Sequence, residues 1–336
     1  MTNETIAHKN RIEFIDLAKG ICIILLLINH AHISLPLMDY LRMPFYFLVS
    51  GIFFKSYGSL INLAKKKTNK LVIPFIFFYI LAYLILVPYN ELFDAHFLQD
   101  HPKDYWKAHS FLTDIPRTGY LNNPIWFLLC LFWCNILYYF ASLKDKVFFK
   151  TIVVAAYTCI GLVLWHCEIF IPFHLSTALV AMPYFHIGSI LKKSPLLRPT
   201  KYDKYGIAIA VAICCILLLI YPLHITASVM WFQNTITGSV IVFYIISFIM
   251  VIAALLFCKQ VKHLPIVSYL GRYSIIILGT HWIFILIGLD VAAGITENFF
   301  VEAFITFCIA MPLSSLCIPF LKEYLPYFTA QKDILQ

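Results

Sequence analysis

Residues 11–32 read RIEFIDLAKGICIILLLINHAH, and in this stretch an uncharged run, 20–29, separates Lys19 from His30. Eleven steps of about 100° make three turns plus roughly 20°, so in a helix both side chains lie on one face, about 16 Å apart. A run this apolar is typical of a membrane span. Inside a membrane, a cation and an imidazole are costly unless they face protein or water. The pair is therefore the best lead to the function of this protein.

Composition agrees with a membrane protein. The chain is 61% hydrophobic and 12% charged, with a mean hydropathy of +0.84, whereas soluble domains carry about 25% charged residues. The first apolar run leads directly into more apolar segments, so no cleavable signal peptide is expected. We predict an all-α integral membrane protein whose residues 1–336 form one membrane-embedded domain.

Apolar runs long enough to cross a bilayer recur along almost the whole chain. They predict a bundle of about ten transmembrane helices between about residues 11 and 320. The predicted ranges are 13–31, 41–55, 71–89, 124–141, 148–165, 175–191, 205–222, 237–258, 271–289 and 299–319.

The positive charges set the orientation. If the N-terminus is cytoplasmic, all but four of the 25 Lys and Arg residues fall on the inner side. The four on the outer side are Arg42, Lys103, Lys107 and Arg117. The positive-inside rule then places both termini in the cytoplasm, which suits a multi-pass protein of the cytoplasmic (inner) membrane. The basic excess reports topology, so no nucleic-acid partner is predicted, although one inner loop could still bind phosphate.

The cysteines do not point to a metal. The ten Cys residues form no C-x-x-C pair and no spacing typical of metal ligands. Most lie inside apolar runs, where Cys behaves as a small buried hydrophobe. No metal cofactor is predicted.

Four groups of polar residues are candidates for chemistry. His30 is suited to accept a proton from a hydroxyl near neutral pH; alternatively it only hydrogen-bonds a neighbouring helix. Lys19 follows Asp16 by three residues, and a local ion pair that seats the helix end is the alternative. Arg42 could orient an acceptor or stabilise an oxyanion, or it could snorkel at the membrane interface. His281 lies within a span and should face the bundle interior, in a functional or a structural role.

A basic run, KKKTNK at residues 65–70, precedes the third predicted span. Its four ammonium groups in six residues would suit a polyanion. The simpler interpretation is membrane topology together with contacts to lipid headgroups.

Taken in order, several motifs resemble those of the acyltransferase-3 family of multi-spanning membrane enzymes. The resemblance runs from about residue 11 to 320. It is carried by Arg11-Ile-x-x-Ile15-Asp16-x-Ala18-Lys19-Gly20 leading to His30, Met43-Pro44-Phe45-Tyr46-Phe47-Leu48-Val49-Ser50-Gly51, Lys67-x-x-Lys70 before Pro74, Pro124-Ile-Trp126-Phe-Leu128, Met182-Pro183-Tyr-Phe-His-Ile-Gly188, and Gly271-x-x-Ser274 through His281. Lys stands at 19, 67 and 70 where many members have Arg, and an ammonium lacks the bidentate fork of a guanidinium.

The resemblance implies transfer of an acyl group, usually acetyl, from cytoplasmic acyl-CoA to a hydroxyl of an extracytoplasmic polysaccharide or glycolipid. It implies His30 as general base and acetyl-CoA as co-substrate, which Lys67, Lys70, Lys19 and Ser274 would bind. Lys67 and Lys70 would meet the phosphates, and Lys19 would lie nearer the thioester. Lys19, Arg42 and His281 are the further catalytic candidates. The acceptor sugar and the choice between acetyl and succinyl stay open.

Two other functional classes compete with this enzyme. A multi-spanning transporter or a lipid or glycan flippase would have the same composition but no chemistry of its own. The two halves of the chain, however, show no matched broken helices of the kind that transporters use. A purely structural assembly partner would leave the face shared by Lys19 and His30 unexplained.

Overall fold

A computed structural model describes residues 12–35, 37–93, 120–220, 228–231 and 234–335. These residues are almost entirely helical. In chain order the α-helices are α1 Glu13–His30, α2 Met38–Ile52, α3 Leu60–Lys67, α4 Ile73–Phe93, α5 Trp126–Ala141, α6 Val147–His166, α7 Leu175–Leu191, α8 Gly206–Ile220, α9 Val240–Val261, α10 Pro265–Arg272, α11 Ser274–Ala293 and α12 Phe299–Tyr324.

Short elements connect these helices. A π-helical turn, Thr68–Val72, joins α3 to α4 without a break. A 3-10 helix, Tyr120–Ile125, leads into α5, and further 3-10 turns are Pro172–His174, Pro195–Leu197 and Asp203–Tyr205. Strands β1 Ser228–Met230 and β2 Thr235–Thr237 pair antiparallel, with Val229 opposite Ile236.

Among the described residues, 6 helical stretches are long and apolar enough to cross a membrane, so the protein is a multi-pass helical membrane protein. They are Leu60–Phe93, Leu121–Ala141, Val147–His166, Val240–Val261, Ser274–Ala293 and Phe299–Tyr324. A helix also lies in each of the other predicted ranges. Of these, α1 carries three charged side chains, and α2, α7 and α8 are 15, 17 and 15 residues long. The count of ten spans and the orientation stay predictions.

Two boundaries differ from the sequence prediction. The third span was expected to begin at residue 71, but helix already begins at Leu60, where Ser59 accepts a hydrogen bond from the amide of Asn62 and caps α3. The ninth was expected to begin at residue 271 as one helix. Instead α10 ends at Arg272, Tyr273 leaves helical geometry, and α11 begins at Ser274.

Two helix crossings bring backbone against backbone. A Cβ added at Gly20 would lie 1.9 Å from the Val267 carbonyl oxygen, and one at Gly271 would lie 1.8 Å from that of Asp16. These close approaches lock α1 against α10. At Gly51 of α2 the same atom would lie 1.9 Å from the Phe185 carbonyl oxygen of α7. Small residues at such crossings are typical of helix packing in membranes.

Candidate active site

A cavity of about 230 Å³ lies between α1, α2, the π-helical turn, α5 and α11. Its wall is mostly apolar, with side chains such as Ile23, Leu26 and Leu131. Five residues that the sequence singled out separately line this one space: Lys19, Arg42, Lys67, Lys70 and Ser274. The structure therefore brings together donor-site and catalytic candidates from four separate segments of the chain, although their roles stay predictions.

Lys19 is fixed at both its side chain and its backbone. Its ammonium pairs with Asp16 at 2.8 Å, as the i, i+3 spacing predicts. The hydroxyl of Tyr46, which also lines the cavity, donates to the Lys19 carbonyl at 2.9 Å and ties α2 to α1. The local ion pair is thus real, yet Lys19 still faces the cavity.

Arg42 lies inside the bundle. The residue is 7% exposed, its Nε donates to the Met38 carbonyl at 3.3 Å, and its guanidinium pairs with Asp39. Arg42 is therefore a buried residue of the cavity wall, and its role stays a prediction.

The two histidines meet one turn beyond the cavity wall. On α1 the cavity is lined by Lys19, Ile23 and Leu26, and His30 lies four residues further along the same face. On α11 it is lined up to Leu278, and His281 lies three residues further. The ring centroids of His30 and His281 are 5.4 Å apart.

The hydrogen bonds of His281 fix which ring nitrogen donates to the backbone. Its side chain is 0% exposed, and its Nδ1 lies 2.9 Å from the Ile277 carbonyl and 3.0 Å from the Leu278 carbonyl. Because both neighbours are acceptors, Nδ1 carries a proton, and in the neutral imidazole Nε2 then carries the lone pair. In the part of the chain that the structure describes, this Nε2 has no partner. In the neutral ring it is a buried acceptor beside His30.

Trp282 is a member of this group that sequence reasoning missed. Its ring meets the His30 ring edge-on, with centroids 5.1 Å apart, and its Nε1 finds no hydrogen-bond partner among described residues. Its position next to His281 was the available signal, but tryptophan in a span is by default an interface anchor.

A hydrogen bond from the 3-10 helix positions this end of α11. The side-chain amide of Asn122, 0% exposed, donates to the Gly279 carbonyl at 2.7 Å and to the Phe78 carbonyl at 3.3 Å. The start of α5 is therefore held beside the histidines, and α5 runs away from them toward Ala141.

At the other end of the cavity, a segment late in the chain covers the lysines. Residues 326–335 form this tail segment. Its Asp333 pairs with Lys66 and with Lys70, each at 2.9 Å, and Lys70 also donates to the Ala330 carbonyl at 2.7 Å. Asn69 accepts from the backbone amide of Leu335 at 2.8 Å. The tail segment is thus fastened along the basic run.

In the described part of the chain, Asp333 pairs with Lys66 and Lys70 but not with Lys67. Burial acts to raise the pKa of Asp333, but the hydrogen bonds and charges of Lys66 and Lys70 outweigh it and hold that pKa below its ordinary value. Lys67, which lines the cavity, has no acidic partner within the described ranges. Of the two lysines predicted to meet coenzyme A, one is therefore already paired and the other is not. No sequence pattern signalled the tail contacts, which join residues more than 250 positions apart.

Comparison with known proteins identifies the family. Residues 12–318 match the acyltransferase-3 model, described as an acyltransferase domain, which is nearly the whole chain. No curated protein and no solved structure matches this chain.

Proposed function

We propose, from the premise that the chain belongs to the acyltransferase-3 family, that it moves an acetyl or related acyl group from cytoplasmic acyl-CoA to a hydroxyl of an extracytoplasmic polysaccharide or glycolipid. It is a multi-pass membrane acyltransferase; the donor, the acceptor and the roles of single residues are the proposal. The observation that carries it is one cavity with lysines at one end and a histidine pair one turn beyond the other. We call these the lysine end and the histidine end.

The donor would enter at the lysine end. Coenzyme A carries phosphates at one terminus and the thioester at the other, with an apolar-compatible chain between them. Lys67 and Lys70 would hold phosphate as point charges, and the mostly apolar wall would accept the chain. Lys19 and Ser274, further along the same cavity, would lie nearer the reacting thioester.

Chemistry would occur at the histidine end. His30 takes the proton of the acceptor hydroxyl as the new C–O bond forms at the acyl carbon. The C–S bond then breaks, coenzyme A leaves as thiolate, and the imidazolium returns its proton to the thiolate or to water. A positioned base of this kind contributes about 10²–10⁴-fold. Arg42, buried on the cavity wall, is the candidate to orient the acceptor or steady the oxyanion.

His281 fits a supporting part in this chemistry. Its proton is committed to backbone carbonyls, so its lone pair faces the space it shares with His30. In that state it accepts a hydrogen bond from the acceptor hydroxyl or from protonated His30. It is the second candidate base.

The test is acyl transfer by purified protein. Protein in lipid nanodiscs would be given acetyl-CoA together with surface glycan purified from cells that lack this protein. Free thiol and glycan mass would both be recorded. We expect thiol release with a matching acetyl mass gain on the glycan. A transporter or flippase would release no thiol, and that result would overturn the proposal.

The direction of transfer rests on the orientation that the cations predict. With both termini cytoplasmic, the lysine end faces acyl-CoA and His30 faces outward. A reporter fused after Gln336 should be active only in the cytoplasm. Activity only outside would reverse the direction.

A further inference from the structure

Asn135 is a buried polar residue of the cavity wall that the proposed mechanism does not use. It lies in the apolar helix α5, its side chain is 1% exposed, and it lines the cavity one turn after Leu131. An amide in such a helix is expected to have hydrogen-bond partners. In Asn135 only the amide nitrogen has a partner among the described residues.

The missing partner is a donor. The Nδ2 of Asn135 donates to the Leu131 carbonyl at 2.7 Å, whereas its Oδ1 is buried and has no partner among the residues that the structure describes. Flipping the amide would place its oxygen against the Leu131 carbonyl oxygen, so the assignment is fixed by the contact. A buried acceptor without a donor is unfavourable. A bound molecule that supplies an N–H would relieve it.

The position of Asn135 along the cavity limits which molecule this is. The start of α5 is held near the histidine end by the bond from Asn122 to Gly279. From there Phe127, Leu128, Leu131 and Asn135 line the cavity in succession. Asn135 is therefore the cavity residue of α5 furthest from the histidines, on the way to the lysines. It would meet the middle of an extended donor rather than its thioester.

We propose that the Oδ1 of Asn135 accepts a hydrogen bond from an amide N–H of the pantetheine arm of the acyl-CoA donor. This rests on the proposed function. The arm is the part of coenzyme A between phosphates and thioester, and its two secondary amides are the N–H donors there. Asn135 is thus a specificity-determining residue that distinguishes an acyl-pantetheine chain from a plain acyl chain such as that of a lipid.

The experiment couples a change in the protein to a change in the donor. Asn135→Leu, which removes the acceptor and suits an apolar helix, would be compared with the parent on acetyl-CoA. Both would also be tested on two acetyl-CoA analogues, each with one pantetheine amide replaced by an ester. We expect Asn135→Leu to lose about tenfold in kcat/KM on acetyl-CoA, and the parent to lose about tenfold on one analogue. On that analogue the variant should lose nothing further.

A matched control comes from the same chain. The Oδ1 of Asn123 is also buried without a partner among described residues, but Asn123 does not line the cavity. Asn123→Leu should keep the full penalty of the ester analogue. If both analogues carried the same penalty in the parent and in Asn135→Leu, the bond would lie elsewhere and the inference would be wrong.

The outcomes separate this inference from the function on which it rests. If the parent transfers acetyl, but the effects of Asn135→Leu and of the ester replacements are independent, only the proposed pantetheine contact is wrong. If the parent releases no thiol from acetyl-CoA or either analogue, the acyltransferase proposal fails and the contact falls with it. Acetyl-pantetheine, which lacks the nucleotide phosphates, adds a check: its kcat/KM should drop about tenfold with Asn135→Leu and be unmoved by Lys67→Gln.

Discussion

The two ends of the cavity differ in the kind of side chains they hold, which are lysines paired with a carboxylate at one end and packed rings at the other. At the lysine end, long flexible side chains gather positive charge, and the chain itself supplies a carboxylate, Asp333, that pairs with Lys66 and Lys70. At the histidine end, the rings of His30, His281 and Trp282 pack together, and no carboxylate pairs with either histidine in the described part of the structure. One end holds charge that salt and a competing anion can reach. The other holds aromatic and imidazole rings packed against one another.

Substitutions at the two ends should therefore change different kinetic constants. Ion pairs between partly exposed groups are worth about 0–1 kcal/mol, so changes at the lysine end should alter donor binding by modest, salt-dependent factors. A positioned base contributes orders of magnitude, so changes at the histidine end should alter the rate.

The largest expected effect is that of His30→Ala. Removing the base should lower kcat by about 10²–10⁴-fold and leave the Kd of acetyl-CoA within about twofold, because the lysine end is untouched. The measurement is acetyl transfer to glycan together with acetyl-CoA binding to the same preparation.

His32→Ala is the matched control for that variant. His32 lies two residues later and stacks on Phe299 rather than on His281. It should retain near-parental activity. A His30→Ala protein that still acylated glycan at the parental rate would remove the general-base role and make His281 the next residue to test.

A second variant should damage both ends, because α1 carries both Lys19 and His30. In Gly20→Ala the new methyl would lie 1.9 Å from the Val267 carbonyl oxygen, so α1 and α10 must separate. Overpacking of this kind costs about 1–3 kcal/mol. We expect a lower unfolding temperature, a higher KM for acetyl-CoA and a lower kcat.

Gly294→Ala provides the comparison for that clash. The added methyl there has its nearest neighbour at 3.5 Å, an ordinary contact, so the unfolding temperature and the kinetics should stay near parental values. If Gly20→Ala behaved like Gly294→Ala, the α1–α10 crossing would not be as close as described.

Sequence reasoning predicted the histidine end better than the lysine end, for a physical reason. The helical period alone places Lys19 and His30 on one face of a single helix, so that pair needs no knowledge of the fold. The cost of exposing an imidazole to lipid likewise predicts that His281 faces inward. The contact between His30 and His281, however, depends on how α1 packs against α11, which no local pattern encodes.

The lysine end shows the limit more clearly. The sequence predicted the basic run 65–70 to be a polyanion site or a topology signal. It did not predict that Asp333, more than 250 residues later, pairs with Lys66 and Lys70. Asn135 was missed as well, because one amide in an apolar helix has no distinguishing spacing. Its significance comes from a cavity that five separate segments enclose.

The two lysines at the cavity should differ in their effect on donor binding. Lys67 has no acidic partner in the described structure, whereas Lys70 already pairs with Asp333. Lys67→Gln should therefore raise the KM for acetyl-CoA by about tenfold, and Lys70→Gln by less than about threefold. The gap should narrow as salt rises from about 0.05 to 0.5 M, because exposed charges are screened.

Lys65→Gln is the control for net charge, since Lys65 belongs to the same run but does not line the cavity. It should change the KM little. Equal effects from all three variants would mean that the run acts as a diffuse charge, and that the distinction between Lys67 and Lys70 is wrong.

The smallest expected effect is that of Asp333→Asn, which frees Lys66 and Lys70 for the donor. It should lower the KM for acetyl-CoA by about two- to fivefold with kcat unchanged, the range that a partly exposed ion pair allows. The pKa of Asp333 is held below its ordinary value by the two lysines, so its pairing is present above about pH 4 and is lost only in stronger acid. The difference in KM between parent and variant should therefore stay constant from pH 6 to pH 8 and become smaller as salt rises.

Asp145→Asn, which breaks the ion pair with Lys150 away from the cavity, should leave the KM unchanged. A higher KM in Asp333→Asn would show that the tail segment supports the donor site instead of competing for it.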